Sequence, residues 1–214
     1  MKNIAIIGAS GLGRELWTLI NAINQVEETY HVVGFYDDAY ENEYEVIAGI
    51  YCKGTINDLL NDLVDETHIT FGLANREIVS KIYETLTQKR SYIYPNLIHP
   101  KVNIEYGTII GTGNVIANGT ILSCEIRIGN FNFFNSMCAV GHDTMIGDFN
   151  CFMPRVQISG DVILGNFNTF SMGSSIIQGK KMGDYNTILA NTLLTKSIKN
   201  NRKYFGIPAK RLDL

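Results

Sequence analysis

From Ile104 onward, every sixth residue of the chain is apolar. The series continues without an insertion to Ile188 and comprises fifteen positions: Ile104, Ile110, Ile116, Leu122, Ile128, Phe134, Val140, Ile146, Phe152, Ile158, Leu164, Phe170, Ile176, Met182 and Ile188. A six-residue period is typical of a parallel β-helix, in which each unit is one short strand and a turn. Three units form one coil of a three-sided prism. The pattern therefore predicts a prism of about five coils.

A second repeat of eighteen residues, apolar-Gly-x-x-Asn, is superimposed on the first. Its five copies begin at Ile110, Ile128, Ile146, Leu164 and Met182. Most residues four positions after each apolar one are small or polar, and Asn and Thr bond the backbone within turns. The glycines at the corners are expected to supply backbone conformations with positive φ. Nearly every residue of this stretch is therefore interpreted as scaffold.

The first hundred residues have a different pattern, in which apolar strands alternate with helical segments. Strands are predicted at 2–7, 32–36 and 69–72, and helices at 14–23, 56–63 and 76–86. This alternation favours a small Rossmann-like parallel sheet of about four strands. The prolines at 95 and 100 mark a boundary. We therefore predict an α/β domain at 1–97, a β-helix at 98–196 and a basic cap or tail at 197–214.

Composition and charge argue against a general nucleic-acid-binding or membrane-spanning protein. A net charge of −3 gives no general attraction to nucleic acid or to anionic membranes. The four cysteines lack paired or metal-type spacing, which favours reduced thiols in a cytoplasmic protein. The start of the chain is too short in apolar residues for a signal peptide, and no segment is long enough to cross a bilayer.

A glycine-rich turn follows the first strand and is the first candidate for chemistry. It runs from Gly8 to Gly13 and leads directly into a predicted helix, an arrangement that favours phosphate binding. Asp37 and Asp38 end the second strand, where an acid can contact a ribose or a base. The alternative is a turn whose glycines only allow the helix to pack closely. Taken alone, the turn suggests a dinucleotide.

His142 and Asp143 form the second candidate, within the β-helix stretch. An imidazole is a suitable general base at neutral pH, and a neighbouring acid can orient it. The alternative is a solvent-facing corner residue. The serines of this stretch have no base at a recognisable spacing, and the other histidines have no ligand-like partners, so neither a nucleophile nor a metal site is expected.

Taken together, these parts resemble a known family. The glycine turn, the Asp-Asp pair, the six-residue repeat with Gly-His-Asp at 141–143 and the closing Gly-Ile-Pro-Ala-Lys at 206–210 are similar to the bacterial sugar-nucleotide acetyltransferases. These left-handed β-helix enzymes include UDP-4-amino-sugar N-acetyltransferases and the sialic acid O-acetyltransferase group. The resemblance implies a homotrimer with acetyl-CoA bound between adjacent prisms. It also implies that the N-terminal domain holds a nucleotide-linked amino sugar rather than NAD.

The resemblance also assigns roles to individual residues. His142 would be the base and Asp143 the acid that orients it. The acceptor would be held by Ser10, Gly11, Leu12, Asp37, Asp38 and Gly72. Coenzyme A would contact Cys151, Gly160, Met172 and Ala190. The chain departs from the family pattern at Leu12 and Cys151, where the family often has histidine, and at Ala190, where it often has glycine.

These observations favour direct acetyl transfer from acetyl-CoA to an amino or hydroxyl group of the sugar, in the synthesis of surface polysaccharide or glycan precursors. The sugar, the nucleotide and the choice between nitrogen and oxygen stay open. Two other hypotheses are a non-catalytic sugar-nucleotide scaffold and an NAD-dependent oxidoreductase, the latter without an explanation for the prism. A trimer is also predicted from an exposed aromatic stripe, formed by Phe131, Phe133, Phe149 and Phe167.

Overall fold

A computed structural model describes residues 1–40 and 43–212. The chain folds as two compact units, Met1–Pro95 and Asn96–Leu214. Each unit has its own sheet system, and the two are described in turn.

The N-terminal unit is a parallel α/β sheet extended by an antiparallel hairpin. Its strands are β1 (Lys2–Ile7), β2 (Tyr30–Tyr36), β3 (Tyr44–Ile47), β4 (Ile50–Cys52) and β5 (His68–Phe71), and its helices are α1 (Gly11–Asn24), α2 (Ile56–Asp62) and α3 (Arg76–Thr87). The strand order is β3-β4-β2-β1-β5. β1 pairs in parallel with both β2 and β5, so the carboxyl ends of these three strands share one edge of the sheet.

The prediction of about four strands is wrong, because residues 1–40 and 43–95 form a sheet of five. The unpredicted element is the hairpin formed by β3 and β4, which pair antiparallel. It turns at Ala48 and Gly49, both at positive φ. An Ala-Gly pair is a weaker hairpin signal than Asn-Gly or Asp-Gly, so the sequence gives little indication of this turn.

The second unit is a left-handed parallel β-helix, as predicted. Its strands are β6 (Leu97–Ile98), β7 (Ile109–Ile110), β8 (Val115–Ile116), β9 (Ile121–Leu122), β10 (Arg127–Ile128), β11 (Phe133–Phe134), β12 (Ala139–Val140), β13 (Met145–Ile146), β14 (Cys151–Phe152), β15 (Gln157–Ile158), β16 (Ile163–Leu164), β17 (Thr169–Phe170), β18 (Ser175–Ile176), β19 (Lys181–Met182), β20 (Thr187–Ile188), β21 (Leu193–Leu194), β22 (Lys203–Phe205) and β23 (Lys210–Leu212). Strands eighteen residues apart pair in register, as in Phe134 with Phe152. Two of the three faces have five strands each, which confirms the predicted five coils.

The six-residue series supplies the interior of the prism. The second residue of each strand from β8 to β21 is buried, and the rings of Phe134 and Phe152 stack with centroids 4.5 Å apart. Ile104, the first member of the series, is an exception because it is 46 % exposed. The prism is therefore held together by a continuous apolar core, to which Ile126, Cys138, Val156 and Val162 add further buried side chains.

The corners differ from the prediction. Positive φ recurs every six residues at fifteen positions, ten of which are not glycine: Gly107, Gly113, Gly119, Glu125, Phe131, Met137, Asp143, Phe149, Arg155, Asp161, Phe167, Gly173, Gly179, Tyr185 and Asn191. None of the glycines of the apolar-Gly-x-x-Asn repeat has positive φ. A Cβ on Gly129 would instead lie 2.8 Å from the carbonyl oxygen of Gly147 in the next coil. The repeat glycines therefore permit close packing between coils.

The asparagines of the repeat form a buried ladder along the prism. The backbone N–H of Asn150 donates to Oδ1 of Asn132 (2.9 Å), and that of Asn168 donates to Oδ1 of Asn150 (2.8 Å). Nδ2 of Asn150 also donates to the carbonyl of Gly165. Because a buried polar group is costly without a partner, this ladder stabilises the corner that it crosses.

The aromatic stripe is less exposed than predicted. Phe131 and Phe133 are 3 % and 2 % exposed, so their expected exposure is wrong. Phe131, Phe149, Phe167 and Tyr185 occupy one corner position in successive coils and stack with centroids 5.0, 5.1 and 4.8 Å apart. Each ring covers its neighbour, which removes part of the apolar surface that the stripe was expected to present.

The final segment closes the prism with a shortened register. Lys203 in β22 pairs with Thr187 in β20, an offset of sixteen residues, and β23 pairs antiparallel with β22. Ile198 and Tyr204 pack against the apolar core. Within the described ranges of the chain, no helix combines the length and the apolar character needed to cross a membrane.

Candidate active site

His142 and Asp143 form a hydrogen-bonded pair at one corner of the prism. Nδ1 of the imidazole lies 2.7 Å from Oδ2 of Asp143, and both side chains are about half exposed. An ionised carboxylate only accepts hydrogen bonds, so with Asp143 ionised and the imidazole neutral the proton of this contact lies on Nδ1 and the lone pair on Nε2. A general base at Nε2 requires that tautomer.

The backbone at this corner brings the two side chains together. Asp143 has a φ of 58°, a left-handed conformation that Asp tolerates better than most residues. Its N–H donates to the carbonyl of Cys124 in the preceding coil (3.3 Å), and the carbonyl of His142 accepts from the N–H of Asp161 in the next coil (2.8 Å). The corner is therefore held from both neighbouring coils.

Cys124, His142 and Gly160 occupy equivalent positions in three successive coils, because they are eighteen residues apart. The imidazole packs against Gly160, where a Cβ would lie 2.6 Å from Nε2 and 2.8 Å from Cε1. Gly160, predicted by resemblance to contact coenzyme A, thus lies beside the imidazole of His142. Cys124 is the exposed cysteine of the chain; the other three are buried and none forms a disulfide.

The other predicted coenzyme A contacts lie in two different environments. Met172 and Ala190 occupy the same corner in successive coils, linked through the N–H of Asn191 and the carbonyl of Met172 (2.9 Å). Met172 is 54 % exposed, whereas Cys151 on β14 is fully buried. The structure brings Met172 and Ala190 together on one edge, and it gives the Cys151 thiol no solvent-accessible surface.

The glycine turn of the N-terminal unit has two kinds of glycine. A Cβ on Gly13 would collide with the carbonyl of Gly8, and one on Gly72 would lie 2.6 Å from Cα of Gly13. A Cβ on Gly11 would meet no atom within 4 Å. Gly8 and Gly72, which follow β1 and β5, and Gly13 in the first turn of α1 are therefore packing glycines, whereas Gly11 borders open space.

The acids at the end of β2 have separate partners. Oδ2 of Asp37 accepts from the N–H of Ala9 in the glycine turn (2.8 Å), and its Oδ1 accepts from Ala39. Asp38 accepts from the N–H of Ile56 at the start of α2 (2.9 Å). The structure thus brings Asp37 to the glycine turn and places Asp38 at another helix.

The start of α1 completes this edge. Ser10 is the N-cap residue, but its side chain makes no capping hydrogen bond. Leu12 is partly buried in the first turn. The first N–H groups of a helix lack intrahelical acceptors and favour an anion, so this end of α1 suits a phosphate.

A metal centre has no basis in the described part of the chain. Within residues 1–40 and 43–212, no three His, Cys, Asp or Glu side chains are grouped closely enough to hold an ion.

Burial raises the pKa of the Cys138 thiol to about 12, which keeps this cysteine protonated and unreactive.

Two features of the site were missed by the sequence reasoning. The left-handed backbone at Asp143 was not expected at a non-glycine residue, and the contact between His142 and Gly160 was not recognised. The signal for the contact was present, because position 160 follows position 142 by one eighteen-residue coil.

Comparison with known proteins agrees with this architecture. Residues 3–86 match the family model of the PglD N-terminal domain. Comparison with curated protein sequences gives no match. Among solved structures, the acetyltransferase domain of PglB from Neisseria gonorrhoeae, in complex with acetyl coenzyme A, is 25 % identical, with a TM-score of 0.87 and coverage of 99 % of both chains.

Two further solved structures share the fold at lower identity. Perosamine N-acetyltransferase from Caulobacter crescentus, in complex with CoA and GDP-perosamine, has 18 % identity and a TM-score of 0.85 over 99 % of this chain and 97 % of that one. WeeI from Acinetobacter baumannii has 23 % identity and a TM-score of 0.86 over 99 % and 100 % of the two chains. The matches confirm the predicted fold and the predicted relationship to hexapeptide acetyltransferases.

Proposed function

We propose that this chain, an acyltransferase of the hexapeptide type with a PglD-type N-terminal domain, transfers an acetyl group from acetyl-CoA to an amino or hydroxyl group of a nucleotide-linked sugar. The observation that carries the proposal is the His142–Asp143 pair, with Nδ1 and Oδ2 2.7 Å apart and half of each side chain open to solvent. The PglB domain, which has the same fold, binds acetyl coenzyme A.

The acceptor must lose a proton during acetyl transfer, and this requirement determines the role of His142. An amine attacks the thioester carbonyl carbon with its lone pair and must give up a proton as the new bond forms. Nε2 of His142 accepts that proton, while Asp143 keeps the ring in the tautomer with Nδ1 protonated. The carbon–sulfur bond then breaks, and coenzyme A leaves as a thiol after taking a proton. A hydroxyl acceptor would use the same base.

Gly160 contributes a backbone donor beside the base. Within the described residues, its N–H has no hydrogen-bond acceptor, whereas the N–H of Asp161 is paired. Such a donor stabilises negative charge that develops on a carbonyl oxygen during attack. We assign it to the thioester oxygen.

The acceptor belongs to the N-terminal unit in this proposal. The pyrophosphate would lie at the start of α1 over Ser10, Gly11 and Leu12, with Gly72 lining the site. Asp37, which lies beside the turn, would contact the ribose or the base. Asp38, the next residue, would make a second contact to the same part of the nucleotide. Leu12 gives this site an apolar wall.

Assembly completes the proposal. Ile109, Met145 and Ile163 are exposed by 54 %, 48 % and 37 % and form a mainly apolar row on one face, which Arg127 of β10 interrupts between Ile109 and Met145. An apolar row of this kind favours burial against another copy, and cyclic symmetry favours a trimer. Acetyl-CoA would lie between prisms, over Gly160, Met172, Ala190 and the region of Cys151. A cytoplasmic location and a role in surface glycan precursor synthesis agree with free thiols and with these substrates.

The decisive experiment replaces the base. His142→Ala should lower kcat by about 10²–10⁴-fold, with little change in either KM, because the imidazole acts mainly in the transition state. Asp143→Asn should cost less, since the base survives. Activity would be followed as thiol release from acetyl-CoA with a panel of nucleotide-linked amino sugars, and His31→Ala is the control. Near-full activity of His142→Ala would exclude His142 as the base.

A further inference from the structure

We propose that Gly160 is a positioning residue for His142, because its missing side chain provides the surface on which the imidazole lies. The coil that follows the base, and not only the adjacent acid, then determines where Nε2 points. The kinetic part of this inference rests on the proposed function; the structural part does not.

The contact involves the reactive edge of the ring. A Cβ on Gly160 would lie 2.6 Å from Nε2, 2.8 Å from Cε1 and 3.0 Å from Cδ2, and these are its three nearest neighbours. Side-chain carbons do not approach heavy atoms so closely, so even a methyl group at 160 requires the ring to move. The distal end of the imidazole is therefore the group with which a side chain at position 160 would clash.

A movement of the ring acts directly on its one side-chain partner among the described residues, Asp143. The imidazole is bonded to Asp143 through Nδ1, and the carbonyl of His142 is fixed by the N–H of Asp161 (2.8 Å). A shift of the ring away from residue 160 therefore changes the geometry of its 2.7 Å contact with Asp143. A catalytic group displaced by about 1 Å can lose about 10²-fold in rate.

Backbone strain does not explain the need for glycine at this position. Gly160 is absent from the residues with positive φ, so alanine fits its backbone conformation. Gly160→Ala is therefore a steric change directed at one ring. If that ring is removed, the added methyl group should be tolerated.

The test is a double-mutant cycle of Gly160→Ala and His142→Ala in the full chain. Gly160→Ala alone should lower the thermal midpoint and lower kcat by about 10-fold to 100-fold, with the acceptor KM nearly unchanged. In the His142→Ala background, the same change should leave the midpoint unchanged and should lower the residual rate by a smaller factor than in the wild type. Ser159→Ala, an exposed neighbour in the same strand connection, is the matched control.

Nitrogen NMR of labelled histidine supplies a readout that does not depend on turnover. The wild type should show Nδ1 protonated and hydrogen-bonded, and Gly160→Ala should lose that signal. An equal loss of thermal midpoint in both backgrounds would overturn the inference, because Gly160 would then only space the coils. A raised KM for acetyl-CoA with unchanged kcat would also overturn it. If the wild type transfers no acetyl group while the midpoint and NMR results hold, the proposed function fails and the positioning role stands.

Discussion

Gly11 is the residue of the N-terminal unit at which a substitution should affect ligand binding without affecting stability. A side chain there meets no protein atom within 4 Å, unlike one at Gly8 or Gly13. We predict that Gly11→Leu leaves the thermal midpoint nearly unchanged and raises the acceptor KM at least about tenfold, or ~1.4 kcal/mol. Gly11→Ala is the matched control with a smaller side chain. A parallel rise in the KM for acetyl-CoA would contradict the assignment of this turn to the acceptor.

Single residues were predicted from sequence only where their chemistry is explicit in one short motif. The adjacent His142 and Asp143 predict a base with its orienting acid; the structure joins the two side chains at 2.7 Å, and the catalytic role stays a prediction. The pairing of Asp37 with Ala9 was not predictable, because it joins residues 28 apart through the backbone of a turn. Contacts of this kind depend on the register of neighbouring strands, which one sequence does not encode locally.

At the scale of elements, the asparagine ladder should hold the prism more strongly than any exposed corner. Asn150→Ala removes one acceptor and one donor group and leaves the N–H of Asn168 and the carbonyl of Gly165 without these partners. We predict a loss of about 3 kcal/mol in the free energy of unfolding, measured by urea denaturation. Asn118→Ala, at an exposed corner, should cost little. Equal losses would contradict a structural role for the ladder.

The α/β unit contains a pH-sensitive strand. Burial, and then the charge of Lys2, lower the pKa of His68 on β5 below its ordinary 6.5, although a hydrogen bond with the Glu66 backbone opposes this. The folded state thus favours neutral His68, so this contribution to stability is present above pH 6.5 and is lost as the pH falls through the lowered pKa. His68→Phe should therefore lose less stability than the wild type between pH 7.5 and 5.5.

Thermal unfolding at these two pH values, about 7.5 and 5.5, measures the effect on either side of the ordinary histidine pKa. His31→Gln is the control, since His31 is exposed on the neighbouring strand β2. An identical acid loss in wild type and His68→Phe would exclude His68 as its source. His99 has the same sign, because burial and Lys101 lower its pKa, so part of the loss should persist in the variant.

Elements were predictable where one period persisted long enough to be read. The six-residue series places each strand from β8 to β20, and the predicted helix at 56–63 matches α2 (Ile56–Asp62), which begins with a Thr55–Asp58 capping box. Only the glycines of the apolar-Gly-x-x-Asn repeat were misinterpreted, because the same residue type serves two purposes: Gly113 and Gly179 do have positive φ, whereas the repeat glycines allow close packing between coils. Positive φ falls at other positions, several of them aromatic, where stacking between coils offsets the strain.

At the scale of the whole molecule, we predict a trimer held by the apolar row of Ile109, Met145 and Ile163. Light scattering should give three times the monomer mass of 23.9 kDa. Met145→Glu places a charge on this row and should shift the mass towards the monomer, with the circular dichroism spectrum retained. A monomeric wild type would contradict the prediction.

Because of the eighteen-residue register, labelling of the Cys124 thiol can report on ligand binding near His142. It is the one exposed thiol among four cysteines, and it lies one coil before His142. A thiol-reactive dye used to measure released coenzyme A will therefore also modify Cys124, close to His142. Cys124→Ser should remove this background, and in the unmodified chain the labelling rate at Cys124 should fall when substrates cover the corner.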